Sequence, residues 1–296
     1  MMTTKKLKSV MVALGVLLSV NANAYDVEVD GIYYNLVKKA KQAEVTSGDS
    51  KYKGDVVIPE SFSYDGVTYA VTSIGEKAFE YCSDLTSMSI PESVTSIGKE
   101  AFRGSSSLTS VNIPNSLTEM DDGAFYGCGI TSVSIPGSVS FIASDAFNRC
   151  KNLTSVTISD GVTKIYSCAF YGCVNLYSIY IPKTIEDIYK DAFNGCKTLT
   201  SVNISSLENW CNISFHEPYN TLLPTTTTYE HISYSANPLI YAHILYLEGN
   251  EVTELNIPEG VTSISSGAFY GCSGLTSVTI PNSVTSIGWD AFARCI

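Results

Sequence analysis

Apolar residues recur along most of the chain in one fixed order. In the stretch Leu275 to Phe292 they fall at Leu275, Val278, Ile280, Val284, Ile287, Ala291 and Phe292, with mostly Thr, Ser, Asn and Gly between them, besides Pro281, Trp289 and Asp290. The alternation Val278-Thr-Ile280 predicts a short strand with one face inward. Pro281 lacks a backbone donor and suits the strand end and a bend. Val284 and Ile287 mark a second extended piece, and Gly288 with Ala291-Phe292 predicts a tight turn or short 3₁₀ segment. The order repeats. Ala-Phe pairs end at Phe79, Phe102, Phe125, Phe147, Phe170, Phe193, Phe269 and Phe292, in steps of 23, 23, 22, 23, 23, 76 and 23 residues. Ile90-Pro91, Ile113-Pro114, Ile135-Pro136, Ile181-Pro182, Ile257-Pro258 and Ile280-Pro281 keep the same time, with Ile158 and Ile204 followed by Ser. Such a period is the signature of a solenoid. One turn cannot bury its own apolar face, whereas stacked turns bury a continuous core. Each Phe then lies beside its counterparts, worth roughly 2–3 kcal/mol when fully buried.

The pieces "LTSVNIPNSLTEM", "LTSVTIPNSVTSIG" and the repeated Ala-Phe-x-x-Cys resemble a leucine-rich repeat, more narrowly the BspA-like (Treponema pallidum) type, over about residues 55–296. No asparagine follows the first strand at the commonest place, and the next apolar residue comes one position early, as that type would show. The resemblance implies a β-rich leucine-rich-repeat solenoid of about 23-residue turns, with short parallel strands and short 3₁₀ or turn segments. It also implies bacterial surface proteins that attach to host matrix proteins or to other cells.

The period divides the chain. Lys5, Lys6 and Lys8, the apolar run Val10 to Val20 and Ala22-Asn23-Ala24 read as a signal peptide over 1–24, cleaved near Ala24. No Cys follows that would carry a lipid anchor. Residues 25–70 read as an N-terminal β cap, with strands at Gly31–Leu36 and Ala43–Thr46 and a hairpin at Asp65-Gly66. Regular repeats follow over 71–204. The 76-residue step predicts two degenerate repeats over 205–250, with Phe215 near the expected Phe place and a protruding loop at His216–Pro238. Regular repeats return over 251–296 without a polar closing turn, so a continuation beyond Ile296 is expected.

Charge and chemistry narrow the function. Losing residues 1–24 removes three Lys and no acid, taking the formal charge from −11 to −14. Acidity of this size argues against a nucleic-acid backbone as partner. Seven of the nine Cys stand three residues after the repeat Phe, with Ser105 in the remaining place. Side chains in such a ladder point the same way, so these read as buried free thiols acting as small apolar residues. His216 and His231 lie near Cys211 and Glu217, but nothing places the third group and oxyanion site a nucleophile pair needs. Phosphate-binding glycine loops, HExxH and GxSxG are absent. No cofactor or metal site is expected.

The outward places of the first strand are more informative. They hold Thr, Ser and Asn in turn after turn, broken by Tyr177 and Tyr180 on one turn. The hydroxyls suit exposed strands, and tyrosine is favoured at interfaces. The expected binding surface is therefore Tyr177 and Tyr180 with Thr154, Ser155, Thr157, Thr200 and Asn203. It would take an extracellular protein ligand, with host matrix proteins the class that the resemblance implies. Two other classes stay open. A carbohydrate-binding module would stack the tyrosines on sugar rings. A parallel β-helix enzyme acting on acidic polysaccharide would need acids and bases converging where this chain has Thr, Ser, Asn and Tyr.

Overall fold

Each regular turn runs along three edges: a first strand, a second strand, and a turn that carries Ala-Phe. The computed structural model describes residues 25–216 and 236–295. First strands stack in parallel as Gly54–Val57, Leu85–Ser89 and Ser110–Val111, and then as Ser132–Ile135, Ser155–Ile158, Ser178–Ile181, Ser201–Ile204 and Leu245–Leu247. Glu254–Asn256 and Ser277–Thr279 form the last such pair. Second strands stack likewise, including Phe141–Ile142, Lys164–Ile165, Asp187–Tyr189 and Ser214–His216. Leu153, Val156, Ile158, Val162 and Ile165 of one turn are at most 3% exposed. The last turn differs: Val278, Ile280 and Ile287 are 40–50% exposed, because no described residue stacks on them.

The cap forms as its sequence predicts. Val27–Val29, Ile32–Val37 and Gln42–Thr46 make an antiparallel meander. Ser61–Tyr64 and Val67–Ile74 make the hairpin, with Asp65 and Gly66 at φ 50° and 76°, the positive values that a two-residue hairpin turn demands. Gln42–Thr46 then pairs in parallel with Val67–Ile74 and joins the cap to the second-strand sheet.

The Ala-Phe edge is a run of hydrogen-bonded turns. Two places in it have positive φ, the residue before Ala and the second after Phe: Gly123 and Gly127 at 64° and 68°, Gly267 and Gly271 at 66° and 75°. Glycine takes this conformation without steric penalty, which accounts for "GAFYGC". Between these places the N–H groups alternate. Ala101, Arg103 and Ser105 donate within the turn, to Gly98, Glu100 and Phe102, while Glu100, Phe102 and Gly104 donate forward to Asp122, Ala124 and Tyr126 of the next turn. Phe79 through Phe193 stack with ring centroids 4.9–5.5 Å apart and planes within 10°, an offset stack of the favoured kind. Tyr52 of the cap closes its first end at 4.5 Å from Phe79.

The ladder cysteines are free and, apart from Cys295, buried, but they are more than apolar filler. Cys128, Cys150, Cys173, Cys196 and Cys295 each direct Sγ at the carbonyl of the preceding turn's Phe, at 2.9–3.2 Å. Ser105 does the same with Oγ, at 2.7 Å from Phe79 O. What the position conserves from turn to turn is a small buried donor, so Ser is a full substitute there. Burial pushes the Cys196 and Cys272 thiols up to about 12, which keeps both groups protonated and the Cys196 S–H in place to donate.

The segment after Ile204 breaks the pattern. Helix α1, Leu207–Asn212, is capped by Ser206, whose hydroxyl accepts from Asn209 N at 3.1 Å. It buries Trp210 and Cys211, and Trp210 Nε1 donates to Ala268 O at 2.9 Å. Phe215 is not in the Phe column. It pairs with Ile188 on the second-strand edge and meets Trp210 edge-on. The Phe-edge place is taken instead by Ala236, Asn237 and the short helix α2, Leu239–Ala242. Asn237 Nδ2 donates to the carbonyls of Gly267 and Ala268 at 2.7 and 3.1 Å. Leu245–Leu247 then folds back on Asn250–Glu251 as an antiparallel hairpin. Among the described residues the segment thus fills one place on the Phe edge, where two worn turns were expected.

Candidate binding surface

Parallel register brings the predicted residues together on three adjacent first strands. Ser155, Ser178 and Ser201 share one rung position; Thr157, Tyr180 and Asn203 share another. Tyr177 lies between Thr154 and Thr200 through the same stacking, its N–H donating to Thr154 O and its carbonyl accepting from Thr200 N. The hydroxyls and the tyrosines behave differently. Thr154 Oγ1 donates to Thr131 O at 2.9 Å and Thr200 Oγ1 to Tyr177 O at 3.1 Å. Thr109, Thr131 and Thr276 repeat the bond on their own preceding turns. These threonines fasten one turn to the next and have committed their donors. Tyr177 and Tyr180 are 52% and 37% exposed and stand clear of the face.

Two further features escaped the sequence reading. Tyr246 lies in register with Asn203, one strand beyond Tyr180's neighbour; its signal was the alternation Leu245-Tyr-Leu247, hidden in the irregular segment. The second-strand face carries an aromatic stack. Phe141 meets Tyr166 edge-on at 5.4 Å, Tyr166 stacks on Tyr189 at 4.9 Å, and Tyr189 on His216 at 4.3 Å. Beside it Asp187 bridges Lys164 Nζ at 2.9 Å and His216 Nε2 at 2.7 Å. Partial burial would raise the Asp187 carboxyl, but hydrogen bonds and charge from Lys164 and His216 outweigh it and hold the group below its usual range. Most other turns place Ser or Gly at these positions, and that substitution was the available signal.

Of the suggested nucleophile cluster, Cys211 and His216 are engaged separately among the described residues. Cys211 is fully buried on α1, with its thiol pushed up to about 12 by burial, and His216 is engaged by Asp187 and Tyr189. His231, Glu217 and most of the expected protruding loop lie outside the described residues, as does the expected signal peptide. Among the described residues no three His, Cys, Asp or Glu side chains converge as metal ligands. No described helix is long and apolar enough to cross a membrane.

A family model described as a BspA type leucine rich repeat region matches in six copies, over residues 72–200 and 241–296, more than half of the chain. The chain belongs to this family. The BspA-type matches leave out residues 201–240, which include α1, while the Leu245 hairpin falls inside the second match. Among solved structures, a leucine rich cell surface protein from Faecalibacterium prausnitzii A2-165 is 26% identical, covering 91% of this chain and 74% of that one at a TM-score of 0.48. The T. pallidum leucine rich repeat protein is 21% identical, covering 91% and 89% at a TM-score of 0.43. The pneumococcal vaccine antigen PcpA is 18% identical over 91% of this chain and 68% of its own, and at a TM-score of 0.53 it shares the fold. No curated protein matches this chain.

Proposed function

We propose that this BspA-type chain is an adhesin-like binding protein, secreted or held at the bacterial surface after cleavage near Ala24. Its first-strand face takes an extracellular protein ligand, with host matrix proteins the leading class. The observation that carries the reading is the contrast on one face. Its threonine hydroxyls are spent between turns, while Tyr177 and Tyr180 project from it. Tyrosine supplies large contact area at low entropic cost and is over-represented among residues that dominate binding energy.

The test presents the secreted chain, residues 25–296, to an array of host matrix proteins and a glycan panel at physiological salt. Saturable binding to a matrix protein is expected. The double change Tyr177→Thr and Tyr180→Thr, which installs the residues of the preceding turn, should abolish it while moving unfolding stability by less than about 0.5 kcal/mol. Binding confined to glycans and lost in the same variant would replace the adhesin with a carbohydrate-binding module.

A further inference from the structure

The tyrosine patch has exposed acids beyond it at Glu248 and Glu251, but on its rim next to the ladder cysteines the charges have one sign. Arg149, Lys151 and Lys197 are all exposed. Lys151 and Lys197 hold the same place, one residue after ladder cysteines Cys150 and Cys196, two turns apart. With strands stacked about 4.8 Å apart, their backbones are about 10 Å apart, on either side of the turn that carries Tyr177. The stretches 149–158, 172–181 and 195–204, which build this part of the face, contain no Asp or Glu. The equivalent stretches 104–113, 127–135 and 271–280 also lack acids, so what sets this part of the face apart is the three cations it holds.

Among the described residues, none of the three is paired with a carboxylate. The ion pairs among the described residues join Lys77, Arg103, Lys164, Lys183, Lys190 and His216 to carboxylates, and leave out Arg149, Lys151 and Lys197. Arg149 is also held at a left-handed position, as are Tyr81 and Arg294 at the same place in their turns. Its φ is 57°, at a place where Gly104, Gly127, Gly172, Gly195 and Gly271 supply glycine. Its guanidinium lies 6.0 Å from the Tyr126 ring centroid, so the side chain is partly ordered before any ligand arrives. A left-handed arginine in place of glycine, braced on an aromatic ring, brings a charge to the surface here, as Arg294 does over Tyr270 in the last turn.

We infer that the ligand of this face is an acidic segment of a protein. Its carboxylates pair with Arg149, Lys151 and Lys197 while Tyr177 and Tyr180 cover its apolar stems. The inference rests on the binding reading above and names the partner's chemistry. Distant acids of the solenoid oppose an anion only weakly, because the Debye length at physiological salt is about 8 Å. A short acidic stretch seated on the rim is therefore favoured, while a long polyanion would be drawn across the acidic remainder.

The experiment titrates residues 25–296 by calorimetry with acetylated, amidated hexaglutamate, with a neutral Ser-Gly hexapeptide and with a heparin hexasaccharide. Hexaglutamate should bind at least tenfold tighter than the neutral peptide, and lose at least fivefold between 0.15 and 0.5 M NaCl. The triple variant Arg149→Gly, Lys151→Ser and Lys197→Ser, built from residues that other turns hold at these places, should remove that preference with an unchanged thermal melt. Equal binding of both peptides, a preference that survives in the triple variant, or heparin binding tenfold tighter than hexaglutamate would overturn the inference. The matrix-protein array separates the two proposals. A matrix protein bound without salt dependence, and equally by the triple variant, sinks the acidic partner and leaves the adhesin standing. Hexaglutamate binding with no matrix protein captured does the reverse.

Discussion

The Phe-Cys edge and the first-strand face are made by the same turns and obey opposite rules. Along the edge each polar group is answered from inside: Phe102 N–H by Ala124 O, and Phe102 O by Ser105 N and by Cys128 Sγ. Replacement there is limited to what preserves the bond, as with Ser105. On the strand face the backbone ladder does the fastening and the threonines reinforce it, so the outward places are free to vary. They vary in the turns that hold Tyr177, Tyr180, Lys151 and Lys197. In a repeat protein, sameness reports what holds the turns together and departure reports where something else is asked of them.

Alkali should break the comparison most strongly. The ladder thiols have folded pKa values raised by burial, so the stability they lend is whole below the unfolded thiol range and is lost as pH climbs toward the folded value. For Cys196 and Cys272, pushed up to about 12, moving from pH 7 to pH 10 should cost about 2 kcal/mol each, given an unfolded thiol near 8.5. Urea midpoints between pH 7 and 10 should fall steeply under reducing conditions, and the fall should shrink in a variant with Ser at both places. A flat profile would mean that these thiols are not shielded. Next in size, Phe147→Ala opens a cavity in the middle of the ring stack and should cost about 3–5 kcal/mol by urea unfolding. A loss below about 1 kcal/mol would show that the column is not the core. Smallest, and sharpest, is Cys150: Val fills the space without a donor and should cost about 1 kcal/mol more than Ser. Equal melting of the two variants would return the cysteines to the role of apolar filler.

Much of this was legible in advance, for reasons that mark the limits of reading. Phe79 through Phe193 and the Ile-Pro corners announce the turns because stacking forces like onto like at a constant chain length. Asp65-Gly66 announces its hairpin because few residues tolerate the φ it needs. Phe215 misleads because the 76-residue step is not a whole number of periods, and counting alone cannot say which edge takes up the surplus. α1 and the Leu245 hairpin settle that by packing. The donor role of the cysteines was visible only obliquely, in Ser105: an apolar site would not accept a hydroxyl so readily. The aromatic stack ending at His216 stayed hidden because its members come from second strands, spaced a full turn apart, and become neighbours only once the coil is wound.

The forward N–H bonds of the Ala-Phe edge have an electrical consequence. Three peptide groups per regular turn point the same way, donor toward the following turn, so their dipoles add along the solenoid as those of an α-helix add along its axis. The sense is reversed. A helix is positive at its N-terminal end; this column carries its positive pole toward the C-terminal turns, where amides lead, and its negative pole toward the cap, where carbonyls trail. The strand edges oppose it: Thr154, Ser159, Thr163 and Tyr166 N–H groups donate back to Thr131, Ile135, Ser140 and Ile142 of the preceding turn, so at either end of the coil the Phe edge and the strand edges carry opposite partial charge.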